Sequence, residues 1–258
     1  MKWEELTYRD IEKMDKNKTV VILPIGCIEV HGPHLPLGTD TIIIYYVALK
    51  AAERESAVVL PPLYYAYVPE NRNFNGTISL RSDTFLNLLE DILDEISRQG
   101  FKKFLILNGH GGNRRPLSLF LRKMLEKNKR IELYILNQPW GPIMDFINEI
   151  KETRVVEHAG EIETSMMLYL TPNLVKLDRV KGEAKLGKRW IVPFLETMVD
   201  WQRYAYMGYV GDPRKGSREK GEKILNYWIE VVARIIIKIK DEKEYRDILE
   251  KYYRDTGI

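Results

Sequence analysis

The sequence predicts an α/β fold, a single domain over 1–258 with a mainly parallel sheet covered by helices on both faces. Three observations predict it. Short β-branched runs alternate with amphipathic helical stretches through the first 140 residues. Three of the four runs are almost wholly apolar, as strands are when both faces of a parallel sheet are covered. Two polar, glycine-bearing segments directly follow such runs, at the strand ends where open α/β sheets bind ligands.

The elements follow in order. Strands are expected at 19–23, 57–60, 104–107 and 131–136. A helix fits 41–55. Another, capped by Ser82 or Asp83, carries Phe85, Leu88, Leu89, Ile92, Leu93 and Ile96 at i, i+3, i+4 spacing and ends at Gly100. Further helices fit 116–128 and 163–170, the last stopped by Thr171-Pro172. Residues 173–216 lack periodicity but hold Trp190, Trp201, Tyr204, Tyr206 and Tyr209; the stretch reads as an excursion that covers a site or makes a subunit contact. A long helix over 217–240 and a short charged one over 242–253 close the chain.

Composition narrows the function. The net charge is 40 − 37 = +3 with both signs spread along the chain, which argues against nucleic acid as a main partner. No segment approaches the roughly 18–20 apolar residues that span a bilayer, so no membrane role is expected. The first ten residues mix Lys2 and Arg9 with Glu4, Glu5 and Asp10 and do not resemble a signal peptide. The single cysteine, Cys27, forbids an internal disulfide, and a cytoplasmic location is expected. Three glutamines against abundant Lys, Glu, Arg and Ile suggest a thermophile.

The four histidines, His31, His34, His110 and His158, all fall in polar segments with glycine rather than on helix faces. In the first segment Glu29 and His31 are two apart, so an extended backbone projects both to one side, toward one ion or a close pair. Gly32-Pro33 and the 35–38 turn fold the chain back toward Asp40, whose carboxylate could bridge two divalent ions; turn capping by Glu29 and Asp40 is the plainer alternative. In the second, Asn108-Gly-His110-Gly-Gly-Asn113, glycines let the backbone approach a ligand. Neither a GxGxxG order nor a Walker lysine is present, so a phosphate loop fits poorly. A histidine at the strand end, with the amides of Gly111 and Gly112 beside it, suits a metal ligand next to an anion site. In the third, His158 and Glu163 flank a glycine turn and the first turn of a helix. His158 fits a general acid or base, and Glu163 either ligates metal, holds water or caps the helix. Arg114 and Arg115 either bind an anionic group or begin a solvated helix. Cys27 lacks a free histidine to orient it as a nucleophile.

Together the strings Gly26…Glu29-Val-His31-Gly-Pro-His34-Leu-Pro-Leu-Gly-Thr-Asp40, Asn108-Gly-His110-Gly-Gly-Asn113 and His158-Ala-Gly160 with Glu163-Thr-Ser165 resemble the creatininase family of metal-dependent amidohydrolases. The resemblance extends through Gly76-Thr77 to Glu219-Lys-Gly221. It implies hydrolysis of a C–N bond in a small-molecule amide, with two divalent metal ions per subunit (Zn²⁺, Fe²⁺ or Mn²⁺) activating water. Glu29, His31, Asp40 and His110 match the metal ligands with Asp40 as the bridge, His158 the catalytic histidine, and Glu163 the third-motif glutamate. Family members are often hexamers, so a homo-oligomer is expected.

Two departures bear on substrate. Creatinine-hydrolysing members carry a further metal-binding glutamate where this chain has Gly112, so either Glu163 compensates or the second ion is held more weakly. Where much of the family has a Glu-His pair, this chain reads Glu70-Asn71-Arg72-Asn73. Arg72 and Arg114 are therefore the candidates for meeting a phosphate. The departures favour a formamidopyrimidine-ribotide deformylase of flavin and deazaflavin biosynthesis over a creatinine, cyclic-amide or lactone hydrolase. A metal-binding scaffold without catalysis is the alternative of another class.

Overall fold

The computed structural model describes residues 1–257. Four strands, β1 (Val20–Ile25), β2 (Val58–Val59), β3 (Lys103–Asn108) and β4 (Glu132–Leu136), form one sheet in the order β2-β1-β3-β4. Every neighbouring pair is parallel. Around it lie α1 (Tyr8–Glu12), α2 (Thr39–Glu55), α3 (Ser82–Arg98), α4 (Arg114–Glu126), α5 (Met144–Ile150), α6 (Glu161–Leu170), α7 (Asp200–Tyr204), α8 (Arg218–Asp241) and α9 (Tyr245–Thr256).

Alternate strand residues serve opposite faces, as the two-residue period requires. Val20, Ile22, Leu105 and Leu107 pack with α2, α6 and α8 around the buried Trp228. Val21, Leu23, Ile25, Phe104 and Ile106 pack with α3 and α4. The sheet is thus covered on both faces, as its apolar strands predict.

The cap of α3 differs from expectation. Arg81 stands at the N-cap without a side-chain bond; Ser82 opens the helix, and Asp83 sits in the first turn, where its charge suits the helix dipole. Helix α6 starts two residues earlier than its periodicity shows. Ser217 caps α8, its hydroxyl accepting from the Lys220 amide. The 173–216 excursion contains the one short helix α7 and single 3₁₀ turns at Leu177–Arg179 and Pro213–Lys215. Helices α1 and α5, of five and seven residues, are too short to show a period in the sequence.

One polar pair is built into the sheet. Lys103 and Glu132 are register partners on β3 and β4, both buried, with Nζ 2.6 Å from Oε2. Arg246 on α9 adds a bond of 2.7 Å to Glu132, and the Tyr134 hydroxyl donates to it at 2.8 Å. Among the described residues, no helix is long and apolar enough to cross a membrane.

The strand order reverses between β1 and β3, because β1 leads outward to β2 on one side and β3 to β4 on the other. Ligands bind in open α/β sheets in the crevice outside the carboxyl ends of strands at such a reversal. The first histidine segment leaves β1 there, and the second leaves β3.

Candidate metal centre and cavity

Glycine brings the two segments together. A Cβ at Gly109 would lie 2.8 Å from the Ile44 Cβ and 3.0 Å from the Asp40 carbonyl, so the turn after β3 abuts α2 only without a side chain there. Asn108 then braces the turn, donating to the His110 carbonyl at 2.8 Å and accepting from the His110 amide at 3.1 Å. Asn113 reaches back to the Gly26 carbonyl at 3.3 Å.

Asp40 lies between two imidazoles. Its Oδ1 is 3.1 Å from His31 Nε2, and its Oδ2 is 2.9 Å from His110 Nδ1. Glu29 Oε2 is 3.1 Å from the same His110 nitrogen. His31 Nδ1 donates to the Glu29 carbonyl at 3.1 Å, which turns Nε2 inward, 3.7 Å from Glu163 Oε2. The Glu163 carboxylate also accepts from the Ala159 amide. Glu161, by contrast, is structural: it accepts from the amides of Glu152 and Thr153, the Thr153 hydroxyl and Lys220.

All these side chains are buried, and the three acids of the cluster meet imidazoles rather than Lys or Arg. Buried charge demands compensation. Burial opposes the charge on His31, but Asp40, Glu163 and Glu29 outweigh it and raise its pKa to about 10. Burial likewise opposes ionisation of Glu29, yet His110, His158 and His31 hold it at about 2. For Glu163 burial wins, aided by Asp40, and its pKa rises to about 8. Two donor groups that share Asp40, Glu29–Asp40–His110 with Cys27 and His31–Asp40–Glu163, have ligand atoms within 4.8 Å of one another. Mixed imidazole and carboxylate donors around a shared carboxylate suit divalent ions, and the buried acids supply the charge that would hold them.

His158 adjoins this cluster. Its Nε2 donates to the Val30 carbonyl at 2.7 Å, its Nδ1 is 3.9 Å from Glu29 Oε2, and its ring lies 4.4 Å from that of His31. Burial lowers its pKa. His34 serves position instead: its Nε2 bonds the Thr164 hydroxyl at 3.0 Å and ties the first segment to α6. Burial and the nearby His31 bring its pKa down to about 4.

The cluster opens into a cavity of about 1300 Å³. Gly111, Gly112, Arg114 and Arg115 line one part, and Trp140, Trp190, Met198 and Trp201 another. Arg72 is exposed and is not among the lining residues. Trp201 from the excursion sets its ring edge-on to His158 at 5.8 Å, so this segment does cover the site.

Three residues here were not assigned to the site from the sequence. Asn71 is buried, donates to Glu29 Oε1 and accepts from Trp201 Nε1 at 2.9 Å. Cys27, set aside as a nucleophile, donates to Asp40 Oδ2 at 3.2 Å and to Glu29 Oε2 at 3.4 Å. Glu70 lines the cavity above Gly112. The spacing of Cys27 two residues before Glu29 was a usable signal; Glu70 and Asn71 stood in the stretch read as bearing on substrate, but nothing in the sequence tied them to Glu29 or His110.

A buried imidazole–carboxylate cluster at the reversal point of a parallel sheet, opening into a deep cavity, has the donors of a metal-dependent hydrolase centre on an α/β fold. The chain belongs to the creatininase family: the family model described as creatinine amidohydrolase matches residues 4–236. It is thereby an amidohydrolase acting on C–N bonds. The creatinine amidohydrolase of Pseudomonas putida is 30% identical over 249 residues, covering 89% of this chain and 93% of that protein. A formylaminopyrimidine ribotide 5′-monophosphate deformylase of Methanobrevibacter ruminantium is 36% identical over 101 residues, 36% of this chain and 39% of that protein. A solved creatininase variant of the Zn–Zn type superposes with a TM-score of 0.75 at 30% identity, covering 92% of this chain and 97% of that one. A manganese creatininase gives 0.75 at 29%, with the same coverage.

Proposed function

We propose that this chain hydrolyses a formamide that carries a phosphate, using two divalent ions that share Asp40. The observation that carries the metal reading is the Asp40 carboxylate, with one oxygen toward His31 and the other toward His110. Glu29 and His110 would complete one side, His31 and Glu163 the other. Ions held there supply Lewis-acid polarisation of an amide carbonyl and a water of lowered pKa.

The protein's own groups do the rest. His158 carries its proton on Nε2 and presents the Nδ1 lone pair to the cluster, so it takes a proton at Nδ1 and delivers it to the leaving nitrogen. Trp201 sets its ring edge-on to His158 at 5.8 Å and so covers one side of the imidazole. Gly111, Gly112 and Arg114 line the cavity where a substrate would sit. Arg115 pairs with Glu196 and Arg189 with Glu157, whereas Arg114 has no carboxylate partner among the described residues. An unpaired guanidinium on a cavity wall favours an anionic substrate. The cavity volume also exceeds the about 300–1,000 Å³ usual for drug-sized ligands, which favours a ribotide over a small ring.

Similarity over 249 residues to the Pseudomonas putida enzyme favours a second reading, hydrolysis of a cyclic amide. A panel of formamides, cyclic amides and lactones, run anaerobically with Zn²⁺, Mn²⁺ and Fe²⁺, separates the two. Formate release from a formamidopyrimidine ribotide should exceed ring opening of creatinine; the reverse order selects the second reading. Exposed Ile191, Val192, Phe194, Leu195 and Met198, on the excursion at the cavity, support assembly into a homo-oligomer, which light scattering at micromolar concentration checks.

A further inference from the structure

Gly112 stands beside a gap that two other side chains fill. A Cβ there would lie 2.1 Å from Glu70 Oε1 and 2.5 Å from His110 Nε2, while a Cβ on the adjacent Gly111 would meet nothing within 4 Å. The absence of a side chain at 112 therefore makes room for a carboxylate delivered from a distant segment. That segment is well anchored. Glu70 belongs to the 3₁₀ turn Pro69–Asn71, its carbonyl accepts from Gln202 Nε2 at 2.8 Å, and its neighbour Asn71 is clamped between Glu29 and Trp201.

His110 shows what the carboxylate is for. Its Nδ1 is committed to Glu29 and Asp40, yet its buried Nε2 has no hydrogen-bond partner. Glu70 Oε1 lies 3.6 Å from that nitrogen. A shift of roughly half an ångström would bring the pair into hydrogen-bond range. An imidazole that ligates through one nitrogen almost always donates from the other to a carboxylate, carbonyl or water, which fixes its tautomer and raises its basicity.

We propose that Glu70 is the positioning residue of the metal centre, accepting the His110 Nε2–H so that the Nδ1 lone pair is held toward Glu29 and Asp40. The inference rests on the metal reading above and adds to it a carboxylate outside the three motifs. Glycine at 112 and glutamate at 70 form one device, since a side chain at 112 would displace both members of the pair.

The test is metal affinity, read by chelator competition with Zn²⁺ on stripped and reloaded protein, with folding checked by circular dichroism. Glu70→Ala should weaken binding by about 10–100-fold, the usual loss when an outer partner of a metal-ligating histidine is removed. Gly112→Ala should do the same from the opposite side, and Gly111→Ala should keep wild-type affinity. Glu70→Gln, whose amide oxygen still accepts from Nε2–H, should recover most of the loss, and the visible spectrum of the cobalt-loaded protein should change in Glu70→Ala. Wild-type affinity in folded Glu70→Ala, or Glu70→Gln no better than Glu70→Ala, overturns the proposal. A wild-type protein that takes up no ions overturns instead the metal reading on which it rests.

Discussion

His158 donates from Nε2 to the Val30 carbonyl across 2.7 Å, and a carbonyl can only accept. The proton of the neutral ring is therefore on Nε2, and Nδ1 is the basic atom, on the side of Glu29. Val30 lies between Glu29 and His31, so the backbone that places two cluster residues also orients the proton carrier.

His158→Ala should keep the metal content of the wild type and lose about 10²–10⁴-fold in turnover, the range of a general acid–base residue. Elemental analysis alongside kcat checks it. Burial moves the pKa of His158 below its ordinary 6.5, so its base form persists into mildly acid solution. The acidic limb of the pH–rate profile assigned to it should accordingly lie below 6.5. Loss of metal in the variant would make His158 a ligand instead.

Metal uptake should release protons. Without ions His31 has a pKa raised to about 10 and Glu163 one raised to about 8, so both carry protons at neutral pH. Each must shed its proton to donate a lone pair, and so must His110, whose pKa is held well above 6.5 against burial by Cys27, Glu29 and Asp40, so affinity should rise with pH through both values. Titration calorimetry in buffers of different ionisation enthalpy measures the protons released. Asp40→Ala should lose both ions, because it removes the shared carboxylate. Uptake without proton release would remove His31 and Glu163 from the ligand set.

The four strands and three histidine segments were legible because each rests on a local rule: apolar runs for buried strands, glycine for turns that abut a ligand or a helix. The position of Glu163 followed from its spacing to His158, and its carboxylate lies 3.7 Å from His31 Nε2. What stayed hidden depends on side-chain direction within irregular backbone. In the turn Pro69–Asn71, Asn71 points inward to Glu29, whereas Arg72 at its end is exposed, a choice that no periodicity records. Trp201 could be placed over a site but not against His158, because its partner is 43 residues away and reached only through the excursion.

The buried Lys103–Glu132 pair gives a stability prediction independent of the site. Glu132→Ala leaves the Lys103 ammonium buried without its partner and should cost about 3–5 kcal/mol. Arg246 reaches Glu132 from a half-exposed position, so Arg246→Ala should cost less. The double variant Lys103→Met, Glu132→Leu should recover much of the loss, since a well-packed apolar pair of similar volume is often neutral. Urea denaturation of the three proteins tests the order.

Arg114 decides whether the substrate is anionic. Arg114 is among the residues lining the cavity and has no carboxylate partner among the described residues, whereas Arg115 is tied to Glu196. If a phosphate docks there, Arg114→Ala removes a charge-assisted hydrogen bond worth about 1.5–3 kcal/mol, which corresponds to roughly a 10–150-fold rise in KM. The rise should exceed any fall in kcat, because the phosphate is remote from the bond that breaks and its binding is much the same in ground and transition states. Arg115→Ala should change KM less, as its partner already neutralises it. A neutral formamide lacking the phosphate supplies the control, and its kinetics should be the same in wild type and Arg114→Ala. Equal KM for the phosphorylated substrate in both proteins would exclude Arg114 as the anion site and return the choice to the cyclic-amide reading.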